Sequence, residues 1–154
     1  MKTKYKFDDF EIDLRKTLGR GGFGDVYKAI EKNTGKVYAI KTILNNKYND
    51  EEINNMLNMN KCENSIHYYG FFIKENLIYL IMELCNGNLA QKINEKKLNA
   101  KEIKEILEQL NNVFKIMYDN SIIHRDIKPE NILIKKLENN KFLYKLSDYD
   151  YQKN

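Results

Sequence analysis

The sequence is poor in the residues that build cross-links and metal clusters. Its two cysteines, Cys62 and Cys85, and its two histidines, His67 and His124, are widely separated. No C-x-x-C pair and no zinc-ligand spacing occurs, so neither a disulfide framework nor a cysteine-rich metal site organises the chain. A reduced, intracellular, cytoplasmic protein is the expectation. With a single proline and seven glycines, there is no Pro/Gly/Ser-rich stretch to mark a linker, and no internal repeat. Long apolar runs are missing too. The longest is Leu77–Met82, and the first residues, MKTKYKFDDF, carry no apolar core, so neither a membrane span nor a signal peptide is expected.

A large excess of one charge is also lacking. The net charge is +4, with 26 lysines and arginines scattered among 22 acidic residues. That pattern fits a solvated, lysine-rich surface rather than a face for nucleic acid. Asparagine is frequent, at 21 residues, but forms no uninterrupted tract that would indicate disorder. A length of 154 residues suits one domain, able to bury roughly two-thirds of its unfolded surface.

What is present falls into two halves. In the first, EIDLRKTLG, DVYKAIE and GKVYAIKTI read as strands, the last two joined by the turn KNTG. EEINNMLNMN puts Ile53, Met56, Leu57 and Asn60 on one helical face, and SIHYYGFF with NLIYLIMEL reads as a hairpin around residues 74–76. In the second half, Ile103, Ile106, Leu107, Leu110, Val113, Phe114 and Met117 recur at helical spacing over 99–119. Asn99 and Glu102 form a capping box, with Leu98 and Ile103 as a hydrophobic staple. The short apolar runs SII, ILI and FLYKL follow, each bounded by polar turns.

Chemistry enters with LGRGGFGDV. Gly19, Gly21 and Gly24 form G-x-G-x-x-G, and Val26, Tyr27, Ala29 and Ile30 continue it as a strand rather than a helix. A glycine loop between two strands lets backbone N–H groups approach a polyphosphate, although alone it is equally a hairpin turn. Fifteen residues after Val26, Lys41 ends the apolar VYAIK. A lysine there is costly to bury without an anion, which a phosphate and the carboxylate of Glu52, or alternatively Glu51, could supply. In HRDIKPEN, Asp126 can face an attacking hydroxyl, Lys128 a transferring phosphate and Asn131 a metal ion. Phosphoryl transfer needs such parts, because its catalysis is mostly positioning and charge neutralisation. His124 is better read as a packed, hydrogen-bonded loop histidine than as a metal ligand. Asp148, after the run FLYKL, is a second oxygen donor suited to magnesium.

In this order, GRGGFGDV, VYAIK, a glutamate, HRDIKPEN and SDYD resemble the signature of eukaryotic protein kinases over about residues 10 to 150. Lys128, two residues after Asp126, is similar to the serine/threonine type. The resemblance implies an α+β, two-lobe fold: an extension at 1–9, an N-lobe of five strands and one helix at 10–82, a hinge at 83–88 and a partial helical C-lobe at 89–154. It implies ATP between the lobes, Mg2+, and transfer of the γ-phosphate to a protein Ser/Thr hydroxyl. Leu18, Gly19, Arg20, Gly21, Gly22, Phe23 and Gly24 would cover the nucleotide, and Val26, Ala39 and Leu133 would hold adenine. Met82 would be the gatekeeper, and Glu83, Leu84 and Cys85 the hinge. Lys41, held by Glu52, would contact phosphates, Asp126 would act as base and Lys128 would neutralise charge. Asn131 and Asp148 would hold magnesium.

Three departures stand out. Asp148-Tyr149-Asp150 replaces Asp-Phe-Gly, and Lys41 and Glu52 lie only eleven residues apart. The activation loop and later C-lobe helices are not in this sequence, so the 99–119 helix is expected to keep a partly uncovered apolar face, open to a covering partner. Two further readings remain at this stage: a nucleotide-binding but inactive regulatory module, and a shortened product that does not fold stably.

Overall fold

Alternating and β-branched residues lay down five strands in the first half of the chain. The computed structural model describes residues 5–21, 24–47 and 50–149. Strands β1 (Phe10–Gly21), β2 (Gly24–Glu31) and β3 (Val37–Leu44) run antiparallel, as do β4 (Tyr68–Lys74) and β5 (Leu77–Met82), in the sheet order β1-β2-β3-β5-β4. The turn after β2 closes with Gly35 at φ 69, and its N–H donates to Glu31 O at 2.8 Å. Helix α1 (Asp50–Asn58) lies between β3 and β4 and opens with Asp50, Glu51 and Glu52, which suit the positive end of its dipole. It buries Ile53 and Met56 as expected, while the next buried position is Met59 rather than Asn60.

One face of the sheet is an aromatic core of Phe10, Ala29, Tyr38, Ile40, Phe72, Tyr79 and Ile81. Phe72 stacks on Tyr79 at 4.8 Å and on Phe10 at 5.9 Å. Within the expected extension, Phe7 meets Tyr79 edge-on at 5.5 Å, and Tyr5 lies 5.7 Å from Phe10. The described part of that extension is therefore packed onto the sheet.

The second half contains β6 (Gly87–Asn88), α2 (Leu89–Glu95), α3 (Ala100–Asp119), β7 (Ile132–Lys136) and β8 (Phe142–Leu146). Strands β6, β7 and β8 form an antiparallel sheet. The capping box of α3 is formed: Glu102 N–H donates to Asn99 Oδ1 at 2.9 Å, and Asn99 N–H donates to Glu102 Oε2 at 3.0 Å. Helix α2, absent from the sequence reading, has the same device in Asn88 and Gln91. Lys92 ties it to β8 by donating to Tyr144 Oη at 2.9 Å.

Of the apolar stripe on α3, Ile106, Leu110, Val113 and Met117 are buried, whereas Ile103 and Leu107 are exposed. The run SII forms no strand. Its residues make a turn and loop after α3, with Ile122 buried and Ile123 exposed, so one side chain rather than a pleated face is anchored.

The described chain divides into two compact units, and neither is a contiguous stretch. One comprises Met1–Leu57 with His67–Leu84, the other Asn58–Ile66 with Cys85–Asn154. The excursion 58–66 belongs to the second unit because its polar backbone finds partners there. Asn64 O accepts from Leu146 N–H at 2.8 Å, Ile66 N–H donates to Leu146 O at 2.9 Å, and Ser65 bridges Leu146 in parallel. The Asn64 amide donates to Tyr144 O and to Gln109 Oε1, both at 3.0 Å, and its Oδ1 accepts from the Asn112 amide at 2.9 Å. Gln109 completes the network, accepting from Tyr144 N–H at 2.9 Å and donating to Phe142 O at 3.1 Å. A network this well satisfied fixes the register of α3 on β8.

Candidate active site

In the sheet unit, strand pairing decides which side chains share a face. Lys41 lies opposite Val26 on β2 and Leu80 on β5, and Ala39 opposite Met82. Val26, Ala39, Lys41 and Met82 therefore line one face, and the aromatic core takes the other. Lys41 is 7% exposed and Glu52 6%, while Glu51 is exposed. Burial thus favours Glu52 as the carboxylate built into this unit with the lysine, since two buried opposite charges require each other or equivalent partners.

The glycines differ in what they do. Gly21 pairs with Gly24 across the hairpin tip, and Gly22 and Phe23 lie outside the described residues. A Cβ on Gly24, at φ 150, would run into the carbonyl of Thr42, so this glycine is required by the close approach of β3. Around Gly19 there is open space. Leu18 and Arg20 beside it are exposed. At the end of β5, the Glu83 carboxylate accepts from His67 N–H at 2.9 Å, and Glu83 N–H donates to His67 O at 2.9 Å. The Glu83 side chain is therefore a structural clamp on β4.

In the other unit, the HRDIKPEN loop is built around two short reaches. The Asn131 amide donates to Asp126 O at 2.8 Å and to Asp126 Oδ2 at 3.0 Å. The Lys128 ammonium lies 3.3 Å from the same Oδ2. One carboxylate oxygen is thus held by two donors, and Oδ1 remains available to a hydroxyl. Asn131 is buried, and with its nitrogen committed to two acceptors its Oδ1 is an acceptor with no hydrogen-bond partner among the described residues.

His124 is buried, and its Nδ1 accepts from Asp126 N–H at 3.2 Å. That contact requires the Nε2–H tautomer, which donates to Ser147 O at 2.6 Å. Ser147 also donates to Asn131 O from both its N–H, at 2.9 Å, and its Oγ, at 3.0 Å. His124 and Ser147 thereby bind the loop to the end of β8, where Asp148 follows.

Arg125 at φ 67 and Asp148 at φ 57 are both left-handed. For residues with a Cβ this costs about 1–3 kcal/mol each, and such strain collects at functional sites. A buried amide oxygen without a partner, in the unit that also carries the Asp148 carboxylate, is the donor chemistry magnesium prefers. Among the described residues no cluster of three histidine, cysteine or acidic side chains could hold a metal, so these two would need oxygens from a ligand. Leu133 is half-buried on β7, paired with Asn88 and Lys145, and Cys85 is half-buried just before β6. Asp150 lies outside the described residues.

The family model "Protein kinase domain" matches residues 12–154. The chain belongs to the protein kinase domain family. It is 38% identical over 149 residues to the probable serine/threonine-protein kinase fhkC of Dictyostelium discoideum, covering 90% of this chain and 25% of that protein. It is 36% identical over 124 residues to the serine/threonine-protein kinase KIC1 of Saccharomyces cerevisiae, covering 76% of this chain and 12% of that one. The crystal structure of Rad53 1-466 in complex with AMP-PNP matches with a TM-score of 0.80 at 31% identity, covering 93% of this chain and 38% of that one. The fold is accordingly the kinase α+β fold, with a five-stranded, one-helix N-lobe and a helical C-lobe part. The chain spans well under half the length of these relatives. No helix among the described residues is long and apolar enough to cross a membrane.

Sequence reasoning missed Asn64, bonded to Tyr144 and Leu146, Ser65, bonded to Tyr149, and Ser147, bonded to Asn131. Their only local signal is a run of small polar residues beside apolar ones, because every bond they make to the site spans distant sequence.

Proposed function

We propose that the chain acts as a serine/threonine protein kinase, transferring the γ-phosphate of MgATP to a protein Ser/Thr hydroxyl. The observation that carries this reading is the Asp126 carboxylate, with Oδ2 held by Asn131 and Lys128 and Oδ1 left to accept. The substrate hydroxyl gives its proton to Asp126 Oδ1 as its oxygen attacks the γ-phosphorus. The bond to the bridging β–γ oxygen breaks, and ADP leaves. Lys128 neutralises the charge that builds on the transferred group. In the sheet unit, Gly19, Gly21 and Gly24 let backbone N–H groups approach the phosphates, and Lys41, supported by Glu52, contacts them. Val26, Ala39, Met82 and Glu83 of this unit are the residues assigned to adenine, and the family resemblance adds Cys85 and Leu133, which belong to the other unit. Asn131 Oδ1 and the Asp148 carboxylate would hold magnesium, which when bound offsets negative charge on phosphate oxygens. The serine/threonine preference rests on Lys128 and on the named relatives.

The test is γ-phosphate transfer from MgATP to a Ser/Thr peptide library, with Asp126→Asn beside wild type. Loss of a general base should lower transfer by roughly 100-fold or more with nucleotide affinity kept. Equal transfer by the variant would remove Asp126 from its role. Nucleotide binding without transfer in wild type would mark a binding module instead.

A further inference from the structure

Tyr149 directly follows Asp148, and it is only 1% exposed. A buried phenol needs a partner for its O–H. Tyr149 donates to Ser65 Oγ at 2.7 Å, and Ser65, also 1% exposed, donates onward to Ile66 O at 3.4 Å. The Tyr149 ring lies 5.1 Å from the His124 ring. Leu146 is bridged by the same 64–66 segment, and Ser147 is bonded to both His124 and Asn131. The chain is therefore pinned at 146, 147 and 149, and Asp148 stands between the pins at φ 57.

We propose that the Ser65–Tyr149 hydrogen bond is a positioning device that keeps Asp148 in its left-handed conformation and so sets its competence toward magnesium. The inference rests on the assignment of Asp148 as a metal ligand made above. A left-handed aspartate tends to relax to an ordinary backbone conformation. Relaxation would swing the next residue, and a buried phenol tied to Ser65 cannot follow without abandoning its partner. Phenylalanine at 149 would fill the same space without this restraint, so Tyr149→Phe removes one oxygen and little else.

The experiment uses the full chain in three variants: Tyr149→Phe, Ser65→Ala and the double variant. ATP affinity is measured by calorimetry with and without Mg2+, and amide hydrogen exchange by NMR without nucleotide. The Mg2+-dependent gain in ATP affinity should fall roughly twofold to tenfold in each single variant, as one net hydrogen bond predicts. Mg2+-free affinity should hold, and the double variant should lose no more than either single one. Ser147 N–H should exchange faster relative to the Val113 amide of α3.

An unchanged Mg2+ gain with unchanged exchange overturns the proposal and leaves the kinase reading intact. Faster exchange with an unchanged Mg2+ gain also overturns it, because the bond would then be structural alone. Wild type without any Mg2+ gain would sink the functional reading. Exchange at Ser147 would then still decide whether the bond restrains this backbone.

Discussion

The proposed function gives Asn131 two tasks with two atoms, and a pair of substitutions separates them. Its nitrogen holds Asp126 at 2.8 and 3.0 Å, and its oxygen is the metal donor we assign. Asn131→Ala deletes both. The bond to the carboxylate is charge-assisted, worth about 1.5–3 kcal/mol, and the bond to the carbonyl about 0.5–1.5 kcal/mol. The Asp126 side chain is 38% exposed, so water recovers part of the loss. A net destabilisation of about 1.5–3 kcal/mol is expected in urea unfolding without metal or nucleotide. Asn131→Asp keeps an oxygen for metal but replaces the donor with a second carboxylate beside Asp126. Its metal-free stability should be at or below that of the alanine variant, while its Mg2+-dependent gain in ATP affinity should stay near wild type. The two measurements should therefore rank the variants oppositely. An alanine variant with a full Mg2+ gain would refute the assignment of Asn131 to the metal.

Further outcomes follow from packing. Gly24→Ala meets the Thr42 carbonyl in a left-handed backbone and should cost more than about 1–3 kcal/mol in urea unfolding, whereas Gly19→Ala, facing open space, should stay within about 1 kcal/mol. Burial, above all other causes, raises the Cys62 thiol above its ordinary value. The folded protein then keeps that proton to higher pH than the unfolded chain, so stability from this group is intact below the ordinary thiol range and declines as pH rises through it. Iodoacetamide at pH 8 should label half-buried Cys85 first, and Cys62 only as the protein unfolds. Equal labelling rates would contradict the burial.

The candidate site's residues stand out in the sequence because the elements that carry them are local. The glycine hairpin, the strand ending in Lys41 and the five-residue reach from Asp126 to Asn131 each sit within one stretch. The Asn99–Glu102 box was legible for the same reason, and α2 escaped notice because seven residues are too few to show a period. The run SII carried no assignment, because a short apolar run does not distinguish a strand from a loop with one buried side chain. The choice between Glu51 and Glu52 needed burial, which no spacing encodes. Nor does any sequence signal show that Gly24 answers to Thr42, or that Asn64 reaches Tyr144 across eighty residues.

That reach has a temporal meaning. A ribosome releases Asn64, Ser65 and Ile66 long before Tyr144, Leu146 and Tyr149 exist. All five strands of the sheet unit can pair while the 58–66 excursion still waits for its hosts. Its polar groups stay hydrated until β8 emerges, so the second unit closes through contacts of long sequence separation, which are slow to form. Synthesis order would then form the glycine hairpin and the strand ending in Lys41 before the bonds that pin Leu146, Ser147 and Tyr149 can exist.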